Sequence, residues 1–261
     1  MVSESDRLRG LAERIRGFDP IHVSALLEEK VQRGEERKYF RFRYSRFYGG
    51  SAVGDVVGCN LRCAFCWTGR ARDDLRVGFW VSPSDAASRL LRLARGSPVR
   101  LSAGEPTLGW RHLIRLLDEL YKRDADMLFI LETNGVLLGA YPERATLLAR
   151  HPLRPFVRVS LKACSPQWFK VLTGAKEYGL ELQLRAVEAL YRSGARLRVA
   201  VFAAFGSRQC WAKLLQELAE RTGPEVVSDI EVEPLVLYPT TVRRLRVLGL
   251  EPTNPELVFT P

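Results

Sequence analysis

Cys59-Asn60-Leu61-Arg62-Cys63-Ala64-Phe65-Cys66 is the stretch on which the reading of this chain turns. Its three cysteines are separated by three and then two residues, in a loop that follows an apolar run. Thiolates are soft ligands and select zinc or iron–sulfur clusters. A cubane of four irons takes four cysteines in its usual protein site, and nothing nearby in the sequence completes the set. A cluster held by three thiolates keeps one iron open to a ligand that is not protein, and chemistry can occur there.

Working outward, residues 52–57 read as the strand that delivers this loop. Further strands are expected over 99–102, 127–131, 156–161, 197–202 and 230–237, from short runs rich in apolar residues. Between them, leucines at helical spacing predict helices over 82–96, 110–122, 142–150, 180–191 and 209–221. Ser82-Pro83-Ser84-Asp85 marks one start, with Ser82 as N-cap and Pro83 at the first helical position. Six strands alternating with helices imply a parallel sheet with right-handed crossovers. The expected fold is α/β, a partial (β/α)6 parallel barrel. Its core is expected over 51–238, with a helical and strand extension over 1–50 packed on it and a C-terminal tail over 239–261.

The extension carries expected helices at 3–16 and 23–31, then the run from Arg37 to Tyr48. Alternation puts Phe40, Phe42 and Tyr44 on one side of a strand and Arg41 and Arg43 on the other. Interleaved aromatics and arginines can stack bases and neutralise phosphates. A strand with its aromatics on a core and its arginines in solvent gives the same pattern. In the tail, Arg243, Arg244 and Arg246 are expected on a solvated helix face.

Cys-x3-Cys-x2-Cys, with Phe65 just before the last cysteine, resembles the cluster loop of the radical S-adenosylmethionine (radical SAM) superfamily. The resemblance implies one 4Fe–4S cluster on Cys59, Cys63 and Cys66, with S-adenosylmethionine chelated at the open iron through its amino and carboxylate groups. It also implies an enzyme in which one electron breaks a carbon–sulfur bond. Methionine and a 5′-deoxyadenosyl radical result, and the radical abstracts hydrogen from a substrate. A one-electron reductant is the implied partner.

In parallel α/β folds, sites form at the carboxyl ends of strands. The second strand ends in Ser102-Ala103-Gly104-Glu105-Pro106, which resembles the superfamily's Gly-Glu-Pro motif, whose backbone and carboxylate receive the cofactor's α-amino group. The physics agrees: Gly104 permits close backbone approach, and Glu105 can accept a charge-assisted bond from an ammonium. The third ends in Leu131-Glu132-Thr133-Asn134-Gly135, similar to the family's ribose-binding strand end, with Glu132 and Asn134 as candidates. The fourth ends in Val159-Ser160-Leu161-Lys162-Ala163-Cys164. Ser160 is placed to reach the cofactor's ribose or carboxylate and Lys162 its carboxylate, with Phe65 and Trp67 flanking the adenine.

Leu131–Gly135 and the stretch from Phe169 to Gly194 are similar to glycyl-radical-enzyme activating enzymes. Phe47-Tyr48-Gly49, Cys66-Trp67 and Gly104-Glu105-Pro106-Thr107-Leu108 are similar to the radical enzyme of wybutosine synthesis on tRNA. That enzyme binds a second cluster through upstream cysteines, whereas this chain has none before Cys59. Cys164 sits two residues past Lys162 and is a candidate hydrogen donor or nucleophile. As a rival fate, Cys164 and Cys210 are small buried hydrophobes. His22, His112 and His151 are scattered and suggest no metal site.

With 261 residues, 46% of them hydrophobic and 27% charged, the composition is that of a globular protein. No apolar run reaches the ~18 residues needed to span a membrane, and the first residues are charged rather than signal-like, so a cytoplasmic location is expected. Five cysteines with three clustered do not read as a disulfide framework. The net charge of +10 favours acidic partners, nucleic acid above all. Only seven of the forty basic residues are Lys, however, so an arginine bias of genome or habitat is a competing source of that charge. The expected function is radical chemistry in RNA modification. The alternative is an activating or other radical enzyme on a protein or small metabolite. More remote is a non-catalytic electron carrier, which needs a fourth ligand and no Gly-Glu-Pro.

Overall fold

The computed structural model describes residues 4–261; Ser3, at the start of the first expected helix, lies outside them. In chain order the elements are α1 (Glu4–Arg14), α2 (Pro20–Val31), β1 (Gln32–Arg33), β2 (Glu36–Ser45), β3 (Ser51–Val56), α3 (Arg70–Asp73), β4 (Phe79–Val81) and α4 (Pro83–Ala94). There follow β5 (Val99–Ala103), α5 (Trp110–Arg123), β6 (Phe129–Thr133), α6 (Val136–Ala140), α7 (Glu143–Arg150), β7 (Phe156–Leu161), α8 (Pro166–Thr173) and α9 (Gly179–Arg192). The chain continues through β8 (Arg196–Val201), α10 (Arg208–Arg221), α11 (Pro224–Ser228), β9 (Glu231–Val232), β10 (Leu235–Val236), α12 (Pro239–Leu248) and β11 (Val258–Phe259).

Strands β3, β5, β6, β7, β8 and β9 lie side by side in that order, each parallel to the next. This is the expected mixed α/β arrangement with sequential parallel strands. On the other flank β2 runs antiparallel to β3, and β1 and β4 pair antiparallel with β2. The N-terminal segment therefore extends the sheet itself. Helices α4, α5, α9 and α10 turn Leu90, Leu113, Leu117, Leu184, Val187 and Leu218 into one apolar core against the strands. Ser82 caps α4 as expected, accepting the Asp85 amide at 3.2 Å.

Three expectations change. The strand expected over 230–237 stops at Val232, and Leu235–Val236 pairs with β11 in a small second sheet instead. Pro234 lies between the two pieces, and proline cannot donate to a ladder. Second, the pairing of β2 with β3 shifts register between Tyr39 and Arg41. A bulge reverses the alternation, so Tyr39 and Phe42 share a face and stack with centroids 4.7 Å apart. Phe40 packs instead on the small cluster of Leu27, Val31, Val57, Leu108 and Leu137. Third, the arginines opposite, Arg41 and Arg43, line a cavity on the inner side of the sheet, and of the two Arg41 also keeps contact with solvent.

Helix α6 reaches α9 through Gly139, where a Cβ would lie 1.8 Å from the Leu182 carbonyl oxygen. Backbone, not a flexible side chain, would have to yield. We expect Gly139→Ala to destabilise the protein by about 3 kcal/mol, the upper end for overpacking. An unchanged urea midpoint would show that the helices separate freely.

Candidate active site

The cysteine loop leaves the end of β3. Cys63 is buried, Cys59 and Cys66 are half-buried, and all three are free thiols. The Arg62 and Ala64 amides donate to the carbonyls of Thr173 and Leu172, at 2.9 and 2.8 Å, fixing the loop on the end of α8. From the other side, the Gly104 and Glu105 amides donate to Val56 and Gly58 at 3.1 and 2.8 Å. That approach requires glycine, because a Cβ on Gly104 would lie 2.3 Å from the Gly58 carbonyl oxygen. The loop and the Gly-Glu-Pro turn are thus joined backbone to backbone.

Glu105 is 2% exposed and ties this turn to the next strand. Its Oε1 accepts the Thr107 amide at 3.1 Å and the Thr107 and Thr133 hydroxyls at 2.7 Å each. Its Oε2 accepts the Asn134 amide at 2.8 Å and keeps acceptor capacity. Asn134 in turn donates through Nδ2 to Asn60 Oδ1 at 2.7 Å, inside the cysteine loop, and accepts the Val136 amide through Oδ1. Its side chain is committed to the chain itself. Pro106 is buried at the start of a 3-10 turn and does not face the cavity.

A cavity of about 490 Å³ opens here, and every residue expected to hold the cluster or the cofactor lines it except Pro106; Cys164 does not line it either. Its walls carry charges drawn from five strands or the turns beyond them. Asp55, 1% exposed, accepts Nε of both Arg41 and Arg43, at 2.7 and 2.8 Å. Arg100 donates to Glu132 at 2.7 Å, and the Tyr48 hydroxyl donates to the same carboxylate at 3.0 Å. Arg158 makes 2.7 Å bonds to both Glu231 and Glu233. Ser160 donates to Glu233 at 2.6 Å, and Lys162 donates to Ser160. Phe65 stacks on Phe202 with ring centroids 3.5 Å apart.

Burial pushes the Glu233 carboxyl up, but Lys162 and Arg158 override it and hold it down to about 2. Its folded value lies below the ordinary ~4.3, so its stabilising contribution is present above that pH and is lost as pH falls through about 2. Burial, with Glu105 nearby, pushes the Cys59 thiol up to about 12; burial raises Cys63 to about 11 against the pull of Lys162. Soft-metal ligation must therefore displace protons from them.

Sequence reasoning missed Arg100, Arg158, Glu231, Glu233 and Gln183. The first four carry a visible signal, since each sits in phase with another polar residue two positions away on its strand or just past its end: Ser102, Ser160, and each other. Gln183, fully buried on the apolar face of α9, donates to the carbonyls of Asn134 and Ser160. The role considered for Cys164 is withdrawn. Cys164 and Cys210 form a disulfide, 46 residues apart in sequence, with Cα atoms 5.5 Å apart. Adjacent parallel strands β7 and β8 bring the loop after one beside the helix start after the other. Neither sulfur is a thiol, and the expectation of no disulfide is corrected.

Residues 55–206, more than half of the chain, match the family model of the radical SAM superfamily. The chain belongs to that superfamily, whose members are enzymes using a 4Fe–4S cluster and S-adenosylmethionine. No curated protein matches the sequence. Among solved structures, a spore photoproduct lyase variant with bound AdoMet and dinucleoside spore photoproduct aligns with 85% of this chain and 66% of its own, at 15% identity and TM-score 0.57. A radical SAM methyltransferase from Sphaerobacter thermophilus aligns with 84% of this chain and 68% of its own, at 17% identity and TM-score 0.53. These likenesses are of fold. Streptococcus suis SuiB shares 20% identity over 63% of this chain, TM-score 0.49, and the chain spans only 35% of its length. No helix of the described residues is long and apolar enough to cross a membrane.

Each Glu105 oxygen faces a different backbone N–H, Thr107 on one side and Asn134 on the other. Whichever way a glutamine amide is turned, its NH₂ meets a donor. We expect Glu105→Gln to lose about 1–3 kcal/mol, the cost of a buried unpaired polar group. Urea unfolding of the isosteric variant at wild-type stability would refute this account of the turn.

Proposed function

We propose that Cys59, Cys63 and Cys66 hold one 4Fe–4S cluster and that the chain uses it with S-adenosylmethionine to abstract hydrogen from a substrate. One observation carries this reading: three free thiols at the end of β3 line the same cavity as Gly104 and Glu105 at the end of β5. The donor set fits. Among the described residues no three His, Cys, Asp or Glu side chains are placed to hold a single metal ion, whereas a cubane spreads its thiolates over separate irons. When bound, the pair supplies a one-electron reductive cleavage that yields a hydrogen-abstracting radical.

The chain's own residues divide the remaining work. Gly104 leaves bare backbone, and Glu105 Oε2 retains acceptor room, for an α-amino group. Glu132, oriented by Arg100 and Tyr48, and Ser160 are the candidates for ribose hydroxyls. Lys162 is the candidate for a carboxylate, and Phe65, backed by Phe202, for the adenine face. Asn134 holds the cysteine loop through Asn60 rather than a ligand.

For the substrate, RNA is the favoured reading. Arg41 and Arg43 share one carboxylate, so one guanidinium charge is unbalanced at the cavity. Arg41 spends only Nε on Asp55 and is 47% exposed. Trp67 lies under Arg43 at 5.6 Å, and the Phe47 ring is 69% exposed, so stacking surfaces stand beside the charge. The deeper charges are paired, as in Arg100 with Glu132 and Arg158 with Glu231 and Glu233. That balance favours a second reading, a neutral protein segment or small metabolite.

Anaerobic reconstitution should give about four irons per chain, and Cys→Ala at 59, 63 or 66 should abolish the cluster absorbance and 5′-deoxyadenosine formation with dithionite. Retention of the cluster in any of the three variants would refute the ligand set. For the substrate, Arg41→Gln leaves Arg43 on Asp55 and avoids an unpaired buried carboxylate. It should lower the salt slope of RNA binding by about 1. Binding that does not vary with salt would favour the protein or small-molecule reading.

A further inference from the structure

Beside the cysteine loop lies a charge cluster around a depression that shares no lining residue with the cavity. Each cysteine carbonyl accepts a guanidinium: Cys59 from Arg62, Cys63 from Arg72 at 2.7 Å, and Cys66 from Arg244 at 2.6 Å. All three arginines also reach Asp73: Arg72 at 2.7 Å, Arg244 at 3.4 Å and Arg62 at 3.7 Å. Arg244 comes from α12, so the expectation of a solvated arginine face fails for this residue. Beside them Asp74 pairs with Arg76 at 3.0 Å and Arg70 at 3.8 Å. Five arginines share two carboxylates across this cluster. Arg70, Arg76 and Arg244 line a shallow depression together with Asp73, Asp74, Leu75, Gly69 and Thr240. The Arg70 and Arg76 side chains are 74% and 92% exposed, against 42% and 24% for the two carboxylates, so its exposed charge is net positive.

We propose that this depression is the docking surface for an acidic one-electron donor protein. The inference rests on the reading that Cys59, Cys63 and Cys66 hold a reducible cluster. A donor arriving from the cavity side would compete for the space that cofactor and substrate need. At the depression, Arg244 alone links the surface to the Cys66 carbonyl. An excess of exposed positive charge steers an acidic partner to the spot and sets its orientation. A protein is favoured over a nucleic acid because no aromatic ring lines the depression on which a base could stack. The step moves one electron: the donor is oxidised by one, the cluster reduced by one, and no atom is transferred.

The test uses an acidic flavodoxin in its hydroquinone form as probe and follows cluster reduction by stopped flow under anaerobic conditions. In the wild type the rate should fall steeply as salt is raised. Arg70→Glu with Arg76→Glu should slow it by about tenfold or more at low salt, and the neutral Arg70→Gln, Arg76→Gln pair by less. Iron content and dithionite-driven 5′-deoxyadenosine formation should stay at wild-type level in both. Equal flavodoxin rates in wild type and the charge-reversed protein overturn the proposal, as does a wild type that dithionite reduces and flavodoxin does not. Loss of RNA binding in the charge-reversed protein, with flavodoxin rates intact, overturns it in favour of a nucleic-acid surface. A protein that assembles no cluster refutes instead the function proposed above.

Discussion

One buried carboxylate sets the geometry on which the rest of the cavity depends. Glu105 gathers four hydrogen bonds from the turn after β5 and the end of β6. The line continues from Asn134 to Asn60 in the cysteine loop, from Asn60 Nδ2 to Ser24 Oγ at 3.0 Å, and from Ser24 to the Pro20 carbonyl in α2 at 2.6 Å. Glu105, Asn134, Asn60 and Ser24 are all at most 5% exposed. Low local polarity strengthens each of these bonds and makes any break in them costly. Three strand ends and an N-terminal helix thereby hold the cysteines against the Gly-Glu-Pro turn, before any ligand contributes.

The second constraint is charge balance inside the sheet. Polar residues recur at alternate positions on the strands that border the cavity: Arg41, Arg43 and Ser45; Arg100 and Ser102; Glu132 and Asn134; Arg158 and Ser160. Period two places each set on one face, and a buried charge persists only when paired. The cysteine loop, the Gly-Glu-Pro turn and the helix starts were legible because their chemistry is written in consecutive residues. The pairings were not. Arg158 on β7 meets Glu231 on β9 across β8, a relation that only the strand order reveals.

The same distinction applies to the arginines. Their number pointed to genome bias or nucleic acid, and the geometry adds that many of them do work that lysine would do poorly. A planar guanidinium can clasp a carboxylate and still reach a carbonyl. Arg72 does this, gripping Asp73 with Nε and Nη2 while Nη1 serves Cys63. Arg37, 1% exposed, spreads its donors over the carbonyls of Val31, Val57 and Glu105 and so buttresses the loop from behind. In the sequence Arg37 belongs to a basic–aromatic run and Arg244 to a basic tail; in the fold both serve the cysteine loop. The disulfide was illegible for a related reason, since it depends on which two strand-end loops become neighbours.

Two residues beside the cavity adopt backbone conformations that their side chains resist. Ala103 has φ +76° and Tyr48 has φ +59°. Each costs of order 1 kcal/mol or more relative to relaxed backbone. At Ala103 the turn lets successive amides, Gly104 and Glu105, both face carbonyls of the cysteine segment, while its own carbonyl accepts Thr68 Oγ1 at 3.0 Å. Thr68 Oγ1 lies in turn 3.1 Å from Cys66 Sγ. At Tyr48 the turn brings the phenol back to Glu132, and burial together with that carboxylate raises its ionisation well above the ordinary range. It remains a neutral donor. In both places the surrounding hydrogen bonds, rather than local preference, hold the conformation, so neither turn could be read from propensity. What the strain delivers is position: one carbonyl and two amides around the cysteine loop, and one hydroxyl aimed at Glu132 from beyond the end of β2.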